Sequence, residues 1–542
     1  MSDYDVIIVG AGAGGGVAAG VLAEAGKSVL LIERGDWLSF LDVGRDHLRN
    51  QRLWRYGVNA GPPLEGNPRV IVYQGQEPRV VTPLDDYHNI AACVGSGTRV
   101  YGGMAWRFLP DDFRMASKYG VPEGSSLSDW PFAYDDLAPY YKLAEDEIGV
   151  SGDSASEPSN RPNRAGYPMQ ALPLNNQGRL LGEAAGKLGW RTQRVPLLIN
   201  SIERGGRPAC ANCQHCVGFA CPVDAKNGTQ NTMIARALSK GRCSVVTGAM
   251  VSAIDCDASG HVSGVSYFDK EGNVVTAAAD VVILSGGAIE TARLLLNSKS
   301  AQEPNGLGNN TDQVGRNLQG HYYAGGVGWT TEPIWDGVGP GTTTATIEFN
   351  HDNDGIVGGG MLADDFVMLP IVYLKRRFDS DIPKWGIAHK QWMRDTYRRK
   401  LYITGPVHEI PSAEARVTAD PFVTDRWGVP VARLSGTTHP ETLRVYEFMS
   451  KRAEEWLHAA GANNVRTFPT GLGLSGGQHQ AGTCRMGVDP NTSVTNSWGK
   501  IHGHDNLFVA DGSLNVTNGG FNPVLTILAL SFRVADGIKS SW

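Results

Sequence analysis

The sequence predicts an α/β protein of two domains, α+β overall, with a Rossmann-like nucleotide-binding domain interleaved along the chain with a second, sheet-containing domain. Three observations predict it. The chain opens on an apolar run that passes without a spacer into a glycine-rich turn. A second strand–glycine turn–helix unit follows roughly 270 residues later. And 542 residues exceed what one hydrophobic core organises.

Val6-Ile7-Ile8-Val9 has the unbroken apolar character of a strand buried on both faces. Gly10-Ala11-Gly12-Ala13-Gly14-Gly15 follows at once, then a helical pattern through Val17, Ala18, Val21, Leu22 and Ala25, with Gly26 as its stop. Val29-Leu30-Leu31-Ile32-Glu33 completes a β-α-β unit. A lone G-x-G-x-x-G says little. Between a strand and a helix, with an acidic residue 18 positions after its last Gly, it is the dinucleotide fingerprint. Gly10 permits the tight turn, Gly12 admits a pyrophosphate to the helix N-terminus, and Gly15 allows close helix–strand packing. Glu33, followed by Arg34, is placed to accept from a ribose.

Residues 36–90 read as loops and short helices. Val94-Gly95-Ser96-Gly97-Thr98 opens a second glycine-rich stretch that ends Gly102-Gly103-Met104-Ala105-Trp106-Arg107. The stretch 110–200 is mixed and proline-rich. A helix is expected over Asn231–Lys240, with strands over Ser244–Val251 and Val262–Tyr267. Val281–Leu284 is a further buried strand, turned by Ser285-Gly286-Gly287-Ala288 into a helix. Residues 320–470 alternate strands and loops, with an amphipathic helix near Glu441–Ala460.

Composition narrows the function. Hydrophobic residues at 41% and charged residues at 19% describe an ordinary globular chain. A net charge of −6 argues against a nucleic-acid binder. No run approaches the ~20 apolar residues of a membrane span. The first residues carry no secretory pattern, so the expected location is the cytoplasm, unless a partner subunit carries an export signal for both.

The C-terminal segment is the most informative. It reads His479-Gln480-Ala481-Gly482-Thr483-Cys484-Arg485-Met486-Gly487, then Ala510-Asp511-Gly512-Ser513, then Gly520-Phe521-Asn522-Pro523-Val524-Leu525-Thr526 before an apolar helix through Arg533. This closely resembles the glucose–methanol–choline (GMC) oxidoreductase family, in which H-x-x-G-T-C-x-M-G supplies the catalytic His and a second His or Asn follows eleven residues after the Asp of D-G-S. Asn522 stands eleven after Asp511. The N-terminal β-α-β unit, Ser285–Glu290, Val314-Gly315-Arg316-Asn317-Leu318, His408-Glu409 and Asp425–Pro430 fit the same family, so the resemblance spans Val6 to Arg533.

The resemblance implies FAD as cofactor and a discontinuous FAD domain: residues 1–55, 90–108, 205–320 and 475–542. Residues 56–89, 109–204 and 321–474 would form the substrate domain. It implies contacts to FAD at Gly10, Gly12, Gly15, Glu33, Arg34, Gly97, Thr98, Gly102, Gly103, Met104, Ala105, Val251 and Gly286, and again at Asp511, Gly512, Asn522, Pro523 and Thr526. Val100 stands where relatives with covalent flavin carry a His, so non-covalent FAD is expected.

The chemistry needs a base for the hydroxyl proton and an acceptor for the hydride. His479 suits the first, because imidazole titrates near neutrality. Asn522 is expected to donate to the substrate oxygen, and flavin N5 is the acceptor. The His/Asn pair resembles the family branches that include pyranose and glycoside oxidases and gluconate-type dehydrogenases. A secondary alcohol of a sugar or glycoside is therefore the expected substrate, giving a ketone, with oxygen or another acceptor taking the electrons. An oligomer or a partner subunit is compatible with this reading. Trp335, Trp385 and Trp392 are candidates for stacking on sugar faces. A sterol or aliphatic alcohol is the alternative substrate. Outside this chemistry stand a thiol or electron-transfer flavoprotein and a non-catalytic FAD subunit.

Cys210, Cys213, Cys216 and Cys221, with Pro222 after them, come close to the ferredoxin spacing but carry one extra residue before the last Cys. An iron–sulfur cluster, a zinc site and a loop pinned by thiols or a disulfide all remain open. Ala225-Lys226 follows, as in many dehydrogenase-like members of the family.

Overall fold

The computed structural model describes residues 2–44, 46, 48, 60–84, 88, 90–156, 166–213, 215–364, 369–375, 385–471, 473–475 and 477–542. The domain boundary expected at 55/56 lies outside them.

The β-α-β unit forms as expected. Tyr4–Val9 and Val29–Glu33 pair in parallel around the helix Ala13–Glu24. They belong to a seven-stranded sheet. Its parallel part runs Cys243–Thr247, Val29–Glu33, Tyr4–Val9, Val274–Leu284 and Leu507–Val509. Val274–Leu284 is long enough to serve three partners: its first half pairs antiparallel with Val262–Phe268, and its second half pairs in parallel with both Tyr4–Val9 and Leu507–Val509. Every residue of Val29–Glu33 is buried, as an unbroken apolar strand requires. The helix Val524–Ser540 packs on Ala13–Glu24, so the two ends of the chain meet in one core.

A second, six-stranded antiparallel sheet joins Asn463–Thr467, Tyr323–Trp329, Lys400–Pro406, Leu362–Asp364, Thr344–Thr346 and Gln193–Arg194. The amphipathic helix Pro440–Ala459 buries Val445, Met449, Ala453 and Trp456 against it. A four-stranded sheet adds Arg416–Thr424, Pro430–Ser435, Arg69–Val72 and Arg79–Val81. A two-stranded ribbon pairs Gln319–His321 with Gln478–Ala481.

Two expectations are corrected. The stretch 36–90 contains strands, Arg69–Val72 and Arg79–Val81, which at four and three residues are too short to show a period. The single strand expected over Ser244–Val251 is two, Cys243–Thr247 and Met250–Cys256, split at Gly248 with φ +66°. The mixed stretch 110–200 holds the helices Tyr134–Ala144, with Pro139 inside it, and Asn176–Lys187.

Candidate active site

A cavity of about 730 Å³ runs from the turn after the first strand to the ribbon that carries His479. Gly10 and Gly12 form part of its wall. Gly10 sits at φ +102°, and a Cβ there would lie 2.4 Å from the Ser285 carbonyl oxygen, so only glycine fits. Gly15 is off the wall. Its Cβ would lie 1.9 Å from Gly10 O, which makes it the packing glycine. The first turn of Ala13–Glu24 opens its N–H groups on the cavity, the arrangement that favours a phosphate.

Glu33 lies at the same end, buried, and accepts from Ala11 N–H and Gly35 N–H, both at 2.9 Å. Its remaining lone pairs are available to a ligand hydroxyl. Arg34 faces Glu290 at 3.5 Å, and Glu290 also takes Arg69 at 2.6 Å and Arg293 at 3.3 Å. Burial alone would raise the Glu290 carboxyl. The three guanidiniums hold it well below the usual carboxylate range.

The second glycine stretch supplies the facing wall through Gly97, Thr98, Gly102, Gly103 and Met104, with Val100 among them. No atom lies within 4 Å of a Cβ built on Gly97, so the backbone there fronts open space. Val251, Gly286, Gly512 and Pro523 also line the cavity. Asp511 ties the walls together: its carboxylate accepts from Gly287 N–H, Thr291 Oγ1, Ser513 N–H and Ser513 Oγ. Ala105 and Thr526, expected at the cofactor, are off the wall. Ala105 N–H binds Pro196 O at 2.8 Å, and Thr526 Oγ1 lies 2.7 Å from Tyr141 OH in the core.

His479 and Asn522 line the other end. The H-x-x-G-T-C segment holds that end in place. Gly482 takes φ +87° where a Cβ would meet Asn317 O at 2.4 Å, Thr483 Oγ1 donates to Ala288 O, and Cys484 N–H donates to Ser513 O. His479 itself has φ +55°, a left-handed conformation that few non-glycine residues adopt and that turns the imidazole toward the cavity. Asn522 Nδ2 donates to Tyr323 OH at 3.2 Å, while its Oδ1 is buried without a protein partner. The two ends of an amide are interchangeable in this setting, so Tyr323 engages one end and the other is left for a ligand.

Two residues that no motif signalled complete the site. His321 Nδ1 lies 2.9 Å from His479 Nδ1, and Tyr323 joins Asn522 as described. Both sit on short strands 158 and 199 residues from those partners, respectively. Behind the Asn522 loop, His351 and His408 each point Nε2 at Asp112 Oδ1, at 3.0 and 2.7 Å. Burial would raise Asp112, but the imidazoles hold it below the usual carboxylate range. The Asp112 carbonyl in turn accepts from Thr517 Oγ1 at 2.9 Å, bracing the loop.

Trp335, Trp385 and Trp392 are not on the cavity wall. Trp335 is buried, Trp385 is exposed and Trp392 stacks on Tyr373. No disulfide joins the four clustered cysteines, so none pins that loop. The buried Lys226 pins it instead, donating to Tyr101 O, Cys216 O and Phe219 O at 2.6–2.9 Å. Among the described residues, the group of three metal-capable side chains with ligand atoms within 4.8 Å of one another is Asp112, His351 and His408, not the cysteines. Each of its imidazoles already has a hydrogen-bonding partner on both nitrogens, which is the pattern of a hydrogen-bonded triad.

A largely parallel sheet with a glycine turn, a buried acidic residue at the end of the second strand and a cavity running to a His/Asn pair define a nucleotide-dependent oxidoreductase. Comparison with known proteins gives the particular kind. Residues 3–56 match an FAD binding domain, and residues 123–323 and 411–531 match the two GMC oxidoreductase models. The chain is 32% identical to 6'''-hydroxyparomomycin C oxidase of Streptomyces lividus, covering 99% of this chain and 91% of that one. It is 28% identical to the fructose dehydrogenase large subunit of Gluconobacter japonicus, covering 98% and 97%. The crystal structure of pyridoxine 4-oxidase from Mesorbium loti shares the fold, with a TM-score of 0.63 at 17% identity over 99% of both chains. The chain belongs to the GMC oxidoreductase family, FAD-dependent enzymes acting on CH–OH groups. The cavity fits that cofactor: a Cβ is excluded at the turn, a helix N-terminus opens on it, and a buried carboxylate stands at one end.

Proposed function

We propose that the protein oxidises a hydroxyl of a sugar or glycoside, a secondary one to a ketone being the expected case, with His479 as the base and Asn522 orienting the substrate oxygen. The observation that carries this is the shared end of one cavity. An imidazole and a half-engaged amide face it there, with the glycine turn and Glu33 at the other end. FAD would be held along Gly10, Gly12, Glu33 and the 97–104 wall and would supply the hydride acceptor. His479 takes the hydroxyl proton as the C–H bond breaks. The Asn522 amide, fixed by Tyr323, holds the oxygen so that one C–H bond faces the cofactor side.

The sugar assignment is supported by relatives named for an aminoglycoside and for fructose. Non-covalent attachment is supported by Val100, a side chain that forms no bond to flavin, at the wall position. The electron acceptor is oxygen, a second protein or a quinone; one relative is named as the large subunit of a dehydrogenase. No helix among the described residues is long and apolar enough to cross a membrane.

The test is to mix purified holoenzyme without oxygen with paromomycin, fructose, a methyl glucoside, cholesterol and butanol, and to follow the visible flavin bands. Bleaching by one of the first three, with a ketone as product, is the expected result. Bleaching by cholesterol or butanol alone would replace the substrate assignment. An aldehyde product would move the oxidised position to a primary carbinol.

A further inference from the structure

His321 stands directly behind His479, on the strand that pairs with it. The two rings meet edge to face, with centroids 5.1 Å apart at 81°. This contact determines which nitrogen of His479 carries hydrogen. His321 Nε2 lies 2.8 Å from Gly519 O and 3.1 Å from Asn518 O. Carbonyl oxygens only accept, so Nε2 of His321 must be the protonated nitrogen. A neutral imidazole has a single N–H, which leaves Nδ1 of His321 as a lone pair. That lone pair faces His479 Nδ1 at 2.9 Å. Two lone pairs at this distance repel, so His479 Nδ1 carries the hydrogen and donates it.

We propose that His321 is a positioning residue that fixes the tautomer of His479, protonated at Nδ1 and basic at Nε2. The proposal rests on His479 being the base, and deepens that reading. The alternative, a doubly protonated His321 donating to His479, would reverse the assignment. It requires a charged imidazole in a fully buried position with His408 nearby. Burial lowers the His321 imidazole to about 4, so it is neutral at neutral pH. Asn518, which accepts from His321 through its carbonyl, also donates through Nδ2 to His479 O at 2.8 Å. One loop therefore fixes both rings. When the base takes the substrate proton at Nε2, its Nδ1–H keeps the same acceptor, and the imidazolium forms without rearrangement. No proton leaves the pair in that step.

Two variants separate the proposal from simple packing. His321→Asn keeps an acceptor oxygen near the place of Nδ1, and His321→Leu removes it. In ring-¹⁵N-labelled holoenzyme, with His479 assigned by comparison with His479→Gln, NMR should show His479 protonated at Nδ1 in the wild type and in His321→Asn. In His321→Leu the hydrogen should move to Nε2. With whichever sugar bleaches the flavin, His321→Leu should lose kcat by about 100-fold, the scale of a general base, with KM little changed. His321→Asn should recover most of the loss. A wild-type His479 protonated at Nε2 would overturn the proposal, and that measurement does not depend on any variant folding. So would a tautomer unchanged in His321→Leu. If the tautomer shifts as expected but His479→Gln retains full kcat, the tautomer assignment stands and the assignment of His479 as base fails.

Discussion

His479 occupies a left-handed backbone position, which costs a non-glycine residue on the order of 1–3 kcal/mol. The cost is carried by its ribbon pairing and by Asn518, and the result is an imidazole aimed into the cavity. His479 and Asn522 were legible in the sequence because each sits in a dense local motif. His321 and Tyr323 were not, because no local pattern distinguishes them and their partners lie far along the chain. His321 also yields a stability prediction. Its folded value, about 4, lies below the ordinary 6.5, so between these two pH values the unfolded chain binds more protons. Stability is therefore present above about 6.5 and is lost as pH falls toward 4. The full contribution is about 3 kcal/mol. The drop in melting temperature between pH 7 and pH 5 should be smaller in His321→Asn than in the wild type; an equal drop would remove His321 as its source. Truncating Asn522 to Ala should lower kcat roughly 100-fold, the scale of one lost transition-state donor, with the flavin spectrum unchanged. Steady-state kinetics check it.

At the scale of elements, the glycine turn and the acidic strand end were legible because close approach demands particular residues. The structure adds the reason for Gly14: a Cβ there would lie 1.7 Å from Ala510 O, on the segment that precedes Asp511. Gly14→Ala should therefore displace the first helix and yield protein depleted of FAD, measured as flavin per chain after purification. The Arg34–Glu290–Arg69–Arg293 group was not legible, since it joins three separated segments around one carboxylate. Removing a buried partner charge costs roughly 3–5 kcal/mol. Glu290→Gln should lower the urea midpoint accordingly, with the slope unchanged. The short strands at 69–72 and 79–81 escaped detection for a different reason, being shorter than any period they could display.

At the scale of the whole molecule, the N-terminal turn, the 97–104 wall, the Ser285 turn and the C-terminal segment come from four distant parts of the chain and meet at one cavity. A ligand bound there bridges them all. Free FAD at a hundred times its Kd should stabilise the protein by about 2.7 kcal/mol, read as a raised melting temperature over the apoprotein. Acid precipitation should leave the flavin in the supernatant; flavin retained in the pellet would contradict non-covalent attachment. The family was legible at this scale because its blocks recur in order from one end of the chain to the other. The substrate was not, because the wall that selects it is assembled from short strands and loops without a motif. The most direct test of the central claim is single-turnover flavin reduction without oxygen, in the wild type and in His479→Gln, with the sugar or glycoside that bleaches the wild type. The expected result is bound flavin in both proteins and reduction on the order of 1,000-fold slower in the variant. Equal rates would show that His479 is not the base and that this end of the cavity does not perform the oxidation as described.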